Sequence, residues 1–282
     1  MSDANNFSNL QPINPYYHHE SIDFDKAVFE HNSIQDLLIQ AGIAVATVPS
    51  PIDSQDGVYT ANWALVRGDK AVLSRLPNAR HAEEDYAEKI LTDLGKTVIR
   101  VPDGLKFSGQ GDALACGNLL FCGNGYRSDI EAQEFAAEVL GYERIQSQTI
   151  PQTNKNGNVV INTSSGWADS FFYDIDLALS IIKAPDGDQK GLIAYCPEAF
   201  TPASRELLAN LDTVDKIEIS IDEAIHDFAA NLVSTGETVI MSAIAPKFAA
   251  ELRNRGLTVL TPEITELAKG GGYIRCTTLT LN

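Results

Sequence analysis

The sequence predicts a single α/β domain of five repeated modules set around an axis, and three observations carry that prediction. A helix-like stretch that stops at a turn residue and leads into a short β-branched strand recurs five times along the 282 residues. Strand-like segments stand ahead of the later copies. The copies at the two ends are each incomplete, so one module shared between them would close a ring.

The elements follow in order. Residues 1–20 read as an N-terminal arm, packed at Ile13, Asn14 and Pro15 and frayed before them. Residues 21–282 read as the five-module α/β propeller. Its first helix covers 22–41 and ends at Gly42, where a glycine can take the left-handed conformation that terminates a helix. The same stop recurs at Gly95, Gly141, Asp212 and Gly256, each followed by a short strand. The strand-like segments ahead of copies two to five are VYTANWALV at 58–66, ALACGNLLFCG at 113–123, FFYDIDLALSII at 171–182 and ANLVSTGETVIMSAI at 230–244. Each unit therefore reads strand, strand, helix, strand. The widest gap, Gly141 to Asp212, holds a polar, turn-rich stretch around 148–170 that reads as a loop insertion over one face. The chain closes on Gly270-Gly271-Gly272 and a predicted strand over Tyr273–Leu281 that carries Cys276.

Composition bounds the function. Hydrophobic residues make up 44%, enough for a large core. The formal net charge is −17, from 38 acidic and 21 basic residues, which argues against nucleic acid and anionic membranes as partners. No apolar run approaches the roughly 18 residues of a membrane helix, and the MSDANNFSNL start has no apolar leader. Cys116, Cys122, Cys196 and Cys276 lack metal-site spacing. A reduced, cytoplasmic chain with no cofactor and no metal is expected. Cys276, after a glycine run at a strand mouth, reads either as a nucleophile or as a small buried hydrophobe. The glycine pairs near 109–112 and 123–125 lack the spacing and the lysine of a phosphate loop.

Several short pieces share an order and a spacing: Ile13-Asn14-Pro15-Tyr16, Asp56 to Asn62, Arg80-x-x-Glu83, Phe107 to Asp112, Arg127, Asp174-Ile175-Asp176, Ala229-Ala230-Asn231 and the glycine-rich Cys276 segment. Taken together they resemble the guanidino-group-modifying enzymes: arginine deiminases and dihydrolases, dimethylarginine dimethylaminohydrolases and amidinotransferases. The resemblance runs from about Ile13 to Asn282, and the Ile-Asn-Pro and Val-Tyr-Thr-Ala-Asn forms lie nearest the arginine dihydrolase branch. It implies the five-bladed α/β propeller called the pentein fold. It also implies a thiolate that attacks a guanidinium carbon, carboxylates that grip the planar cation and a histidine that moves protons. By that resemblance Cys276 matches the nucleophile. Asp56 and Asn62 match positions that grip substrate, Asn14 an N-terminal polar position, and Arg127 a residue that holds the substrate carboxylate.

Two departures stand beside these matches. Asp174 occupies the place of the family's histidine, and Ser108 that of a guanidinium-binding glutamate. None of His18, His19, His31, His81 and His226 takes over by alignment. An aspartate can act as general acid only if its pKa rises well above about 3.9. A second carboxylate at Asp176, on the same face of a strand, would push Asp174 that way. The expectation is a cysteine-dependent hydrolase or amidinotransferase acting on a C–N bond of an arginine-like substrate. Cys276 and Asp174 would be catalytic, and Asn14, Asp56, Asn62, Ser108, Arg127 and Asp176 would bind the small guanidino or amidine molecule. The alternatives are a catalytically inactive pentein that binds an arginine-like ligand or a protein partner, and a purely structural protein. A homodimer is left open.

Overall fold

The computed structural model describes residues 1–17 and 20–282; His18 and His19 lie outside the described residues. Four three-stranded sheets follow one another along the chain. The first holds β1 (Ala64–Arg67), β2 (Lys70–Leu73) and β3 (Thr97–Arg100), with α2 (Ala82–Asp93) after the opening helix α1 (Phe24–Gln40). The second holds β4 (Ala113–Cys116), β5 (Leu119–Cys122) and β6 (Glu143–Gln146), with α3 (Ile130–Leu140). The third holds β7 (Leu179–Lys183), β8 (Gly191–Tyr195) and β9 (Val214–Glu218), with α4 (Pro202–Ala209); the short α5 (Ile221–His226) follows. The fourth holds β10 (Val233–Ser234), β11 (Thr238–Ile240) and β12 (Thr258–Leu260), with α6 (Pro246–Asn254).

Within each sheet the first two strands form an antiparallel pair, and the chain returns through a helix to add the third strand parallel to the second. The local sequence explains the units. Helices α1, α2, α3 and α6 stop at Gly42, Gly95, Gly141 and Gly256, all with positive φ, where other residues would be strained. Asp23 caps α1 by accepting from the backbone N–H of Lys26, and Ser220 caps α5 in the same way through Glu223. The fifth module is α1 with the ends of the chain beside it. Ser2 bridges Val48 in parallel, and Leu279 and Leu281 pack beside Val48 against the Trp63 cluster.

The first strand of each sheet is innermost: β7 touches both β4 and β10. Their apolar side chains form the core around the axis, while the third strands lie toward solvent. The architecture is the predicted single-domain, five-module α/β propeller.

Three expectations need correction. Residues before Ile13 are not frayed: Ser2, Ala4 and Phe7 are buried, because Asp3 donates to the Val48 carbonyl and Phe7 packs edge-on against Tyr59. The predicted strand over 273–281 does not form. Its residues turn instead, with the Thr277 N–H bonded to the carbonyls of Tyr273 and Ile274. Asp174 to Asp176 are likewise not strand; Ile175–Leu177 is a 3-10 turn ahead of β7. The stretch at 148–170 is held by isolated bridges, Thr153 with Val159 and Ile161 with Ala168, rather than by a sheet.

Candidate active site

Cys276 sits on the turn that replaces the predicted strand. Asn231 makes that turn: its Oδ1 accepts from the backbone N–H of Arg275 at 2.9 Å and of Cys276 at 3.2 Å. Its Nδ2 lies 3.2 Å from the Cys276 sulfur. The turn sends the two neighbouring side chains to different sides, Cys276 toward one cavity and Arg275 toward another. The glycine run ahead of it allows close approach. Gly271 has φ +84°, and a Cβ there would overlap the Asn14 side chain.

The Cys276 cavity is lined by Asn14, Asp56, Asn62, Arg80, Arg127 and Tyr173, among others. It holds about 10 Å³, room for roughly one water. Asp56 accepts from the Tyr17 hydroxyl at 2.8 Å. Asn14 donates to the Gly270 carbonyl at 3.0 Å. Arg127 donates to the Ile13 carbonyl and lies 4.1 Å over the Tyr173 ring. Asn62 donates to Asp174 Oδ2 at 2.7 Å and to Ser108 Oγ at 2.9 Å, which joins three of the expected residues in one contact.

The structure pairs the residues differently from the sequence expectation. The carboxylate at the sulfur is that of Asp176, with Oδ2 3.5 Å from Sγ. Asp174 lies against Asn62 and Ser108, in the field of Arg127. Both aspartates are about 1% exposed, and each has one oxygen with no hydrogen-bond partner among the described residues.

Burial sets the electrostatics. It pushes the Asp176 carboxyl up to about 8, with the neighbouring Asp174 adding to the rise. Burial also raises Asp174, against the pull of Arg127. Asp56 is raised by burial to about 6, although Arg80 opposes the rise. The Cys276 thiol is pushed well above its usual range by burial first and by Asp176 second. At neutral pH the resting cysteine is therefore a thiol beside a largely protonated acid.

Sequence reasoning left some supporting residues outside the expected site. Arg80 is fully buried and clamped by Glu83, with Nη2–Oε2 at 2.6 Å and Nε–Oε1 at 2.8 Å. Its Nη1 donates to Asn62 Oδ1 at 2.7 Å, so Arg80 holds the amide whose nitrogen side meets Asp174. Glu83 also receives Trp63 Nε1 and Ser54 Oγ. The Arg-x-x-Glu and Ala-Ala-Asn pieces were the signals for Arg80, Glu83 and Asn231, but nothing local marked them as buried. Of the histidines within the described residues, His81 and His226 are mostly exposed, and His31 is buried beside Ser2 and Asp3, with its pKa lowered to about 4 by burial.

Known proteins carry the same frame. The bifunctional arginine dihydrolase/ornithine cyclodeaminase AgrE of Nostoc sp. is 31% identical over 259 residues, 90% of this chain and 33% of that protein. The N(G),N(G)-dimethylarginine dimethylaminohydrolase of Mycobacterium tuberculosis is 28% identical over 278 residues, 98% of this chain and 83% of that one. The crystal structure of the N-terminal domain of ArgZ, an arginine dihydrolase from cyanobacteria, superposes with a TM-score of 0.86 at 26% identity, covering 99% of this chain and 95% of that domain. The chain belongs to the guanidino-group-modifying, or pentein, superfamily. No family model matches it. This pentein spans about a third of the length of AgrE. Among its described residues no helix is long and apolar enough to cross a membrane.

Proposed function

We propose that this pentein is a cysteine-dependent hydrolase of the C–N bond of a small arginine-like guanidino compound, with Asp176 serving as the proton carrier of Cys276. The observation that carries the reading is the 3.5 Å contact between Cys276 Sγ and Asp176 Oδ2, beside a cavity walled by Asp56 and Arg127. Asp56 and Asn62 face the planar cation, Asp174 backs it through Asn62, and Arg127 takes a carboxylate at the other end of the ligand.

An arriving guanidinium favours the thiolate and the ionised form of every carboxyl around it, so Asp176 first gives up its resting proton to solvent. Cys276 gives its proton to Asp176, and the thiolate sulfur bonds to the guanidinium carbon. The carbon–nitrogen bond then breaks, and the departing amine takes the proton from Asp176. Water next attacks the amidine adduct and gives its proton back to Asp176. The carbon–sulfur bond breaks, the sulfur takes the remaining proton of the added hydroxyl, and a ureido product leaves with the thiol restored. Raised pKa values suit Asp176 for this shuttle, since a carboxyl near 8 is part protonated at neutral pH.

A second reading has its own observation. The resting thiol is raised rather than activated, and no described histidine lines the cavity. Binding of an arginine-like ligand without turnover fits that state. One experiment separates the two. Arginine, agmatine, methylated arginines and guanidino acids are screened by thermal shift, and any that stabilise are incubated and assayed for ureido product and amine. Bound ligand raises the melting temperature with or without turnover. Product that disappears in Cys276→Ser supports the hydrolase. A shift without product supports the binding reading. No shift with any of them overturns both.

A further inference from the structure

A second cavity lies on the other side of the Arg275–Cys276 turn and holds about 360 Å³, within the range of small-molecule sites. It is the central opening of the propeller. The innermost strands of all four sheets reach it, through Val66 of β1, Leu114 of β4, Ser180 of β7 and Val233 of β10. It shares no lining residue with the Cys276 cavity. Asp176 lines it while touching the Cys276 sulfur.

We propose that this axial opening is a second small-molecule site, that it takes a monocarboxylate with a short apolar tail, and that filling it is felt at Cys276 through Arg275 and Asp176. Three observations carry this. First, two lining side chains that are 1% and 3% exposed have polar atoms with no partner among the described residues: Asp176 Oδ1 and Ser180 Oγ. Orphaned buried polar atoms beside a roomy opening call for a ligand or water. Second, the lining carries two cationic side chains. Arg275 is held against it by Gln110 Oε1 at 2.9 Å and the Thr278 carbonyl at 2.8 Å, and Lys183 stands at the rim. Asp176 is the one acidic side chain in the lining, and burial pushes its carboxyl up to about 8. Third, Leu114, Leu179, Ile182 and Leu232 supply an apolar wall for a tail. An anion at Arg275 offsets the guanidinium's pull on Asp176, and so makes proton release from Asp176 and Cys276 harder.

The binding part of this proposal does not depend on turnover at Cys276, so its test is independent of the hydrolase reading. Butyrate, valerate and hexanoate are titrated into the protein by calorimetry, with butanol and butylamine as neutral and cationic controls. Carboxylates that bind, and lose at least about tenfold in affinity in Lys183→Glu and in Ala115→Phe, support the site. Both substitutions are at exposed positions of the opening, so the fold is kept, and melting curves check it. Ser180→Ala removes an unpartnered hydroxyl and should leave the fold unchanged while weakening binding. Failure of every carboxylate to bind, binding that survives Ala115→Phe, or a preference for butylamine would each overturn the assignment. With saturating carboxylate, iodoacetamide labelling of Cys276 should slow at least about threefold; an unchanged rate would overturn the link to Cys276.

Discussion

Asp176→Asn should make Cys276 more reactive at high pH and leave it nearly unchanged at low pH. The reasoning starts from the 3.5 Å separation of Sγ and Oδ2. Two full negative charges at that distance repel by about 5 kcal/mol at an effective dielectric of 20. A tenfold change in a population needs only about 1.4 kcal/mol, so even a third of this repulsion is decisive. The sign depends on pH. Below pH 6 Asp176 is protonated, since its carboxyl titrates near 8, and no repulsion exists for asparagine to remove. Above pH 9 Asp176 is ionised and forming the thiolate must overcome it. The assay is iodoacetamide alkylation of Cys276 followed by peptide mass spectrometry, in both proteins from pH 6 to pH 9.5. The cavity must open for the reagent to enter, but that opening is common to both proteins and cancels in the ratio. The ratio of mutant to wild-type rate should be near one at pH 6 and at least about tenfold at pH 9. A ratio independent of pH would refute the contact as the cause of the raised thiol.

Other outcomes follow from the same geometry. Asp56→Ala should weaken binding of an arginine-like ligand by one to two orders of magnitude, because a charged hydrogen bond contributes about 1.5–3 kcal/mol; competition calorimetry measures it. Binding of a guanidinium should strengthen from pH 5 to pH 8.5 and release protons, because Asp56 near 6 and Asp176 near 8 must ionise to meet the cation; calorimetry in buffers of different ionisation enthalpy counts them. Arg80→Met should cost about 3–5 kcal/mol in urea unfolding by leaving Glu83 buried without its partner, and Arg80→Met with Glu83→Leu should recover part of the loss. Asp176→Asn should raise the melting temperature more at pH 9 than at pH 5. A carboxyl raised in the folded state loses stability as pH rises from its unfolded value near 3.8 to its folded value near 8, and asparagine does not.

The modules were legible because each helix stop is a local event. Gly42, Gly95, Gly141 and Gly256 have to be left-handed where the helix ends, whatever the rest of the chain does. The last turn was not legible, because its shape is imposed from outside. Tyr273, Ile274, Thr277 and Thr278 are β-branched or aromatic and suit a strand, yet the Asn231 side chain takes both N–H groups that a strand would pair. The alternation argument for Asp174 and Asp176 failed for a related reason. Ile175 N–H is held by Asp112 Oδ1, which folds the segment into a 3-10 turn. Asp174 is close enough to raise Asp176, but the two carboxyls serve different neighbours. The burial of Arg80 was invisible too: an arginine three residues before a glutamate near a helix start is usually a solvated pair.

On the proposed reading Asp174 stands where the family's histidine would, and that exchange changes more than one group. A neutral imidazole adds no negative charge, whereas Asp174 brings a fourth carboxyl into a buried cluster with Asp56, Asp112 and Asp176. The buried Arg80 and Arg127 and the half-buried Arg275 stand around that cluster, and Arg80 is already matched by Glu83. With no cation present, the cluster is tolerated only if some carboxyls keep their protons, which is the direction of every raised aspartate there. On the proposed reading these protonated carboxyls hold a proton where the family's imidazole would carry one. On that reading the same burial that disfavours charge there also keeps the proton that a leaving amine would take. A guanidinium bound as proposed would supply the missing positive charge, so cation binding and proton release would become one event in this site.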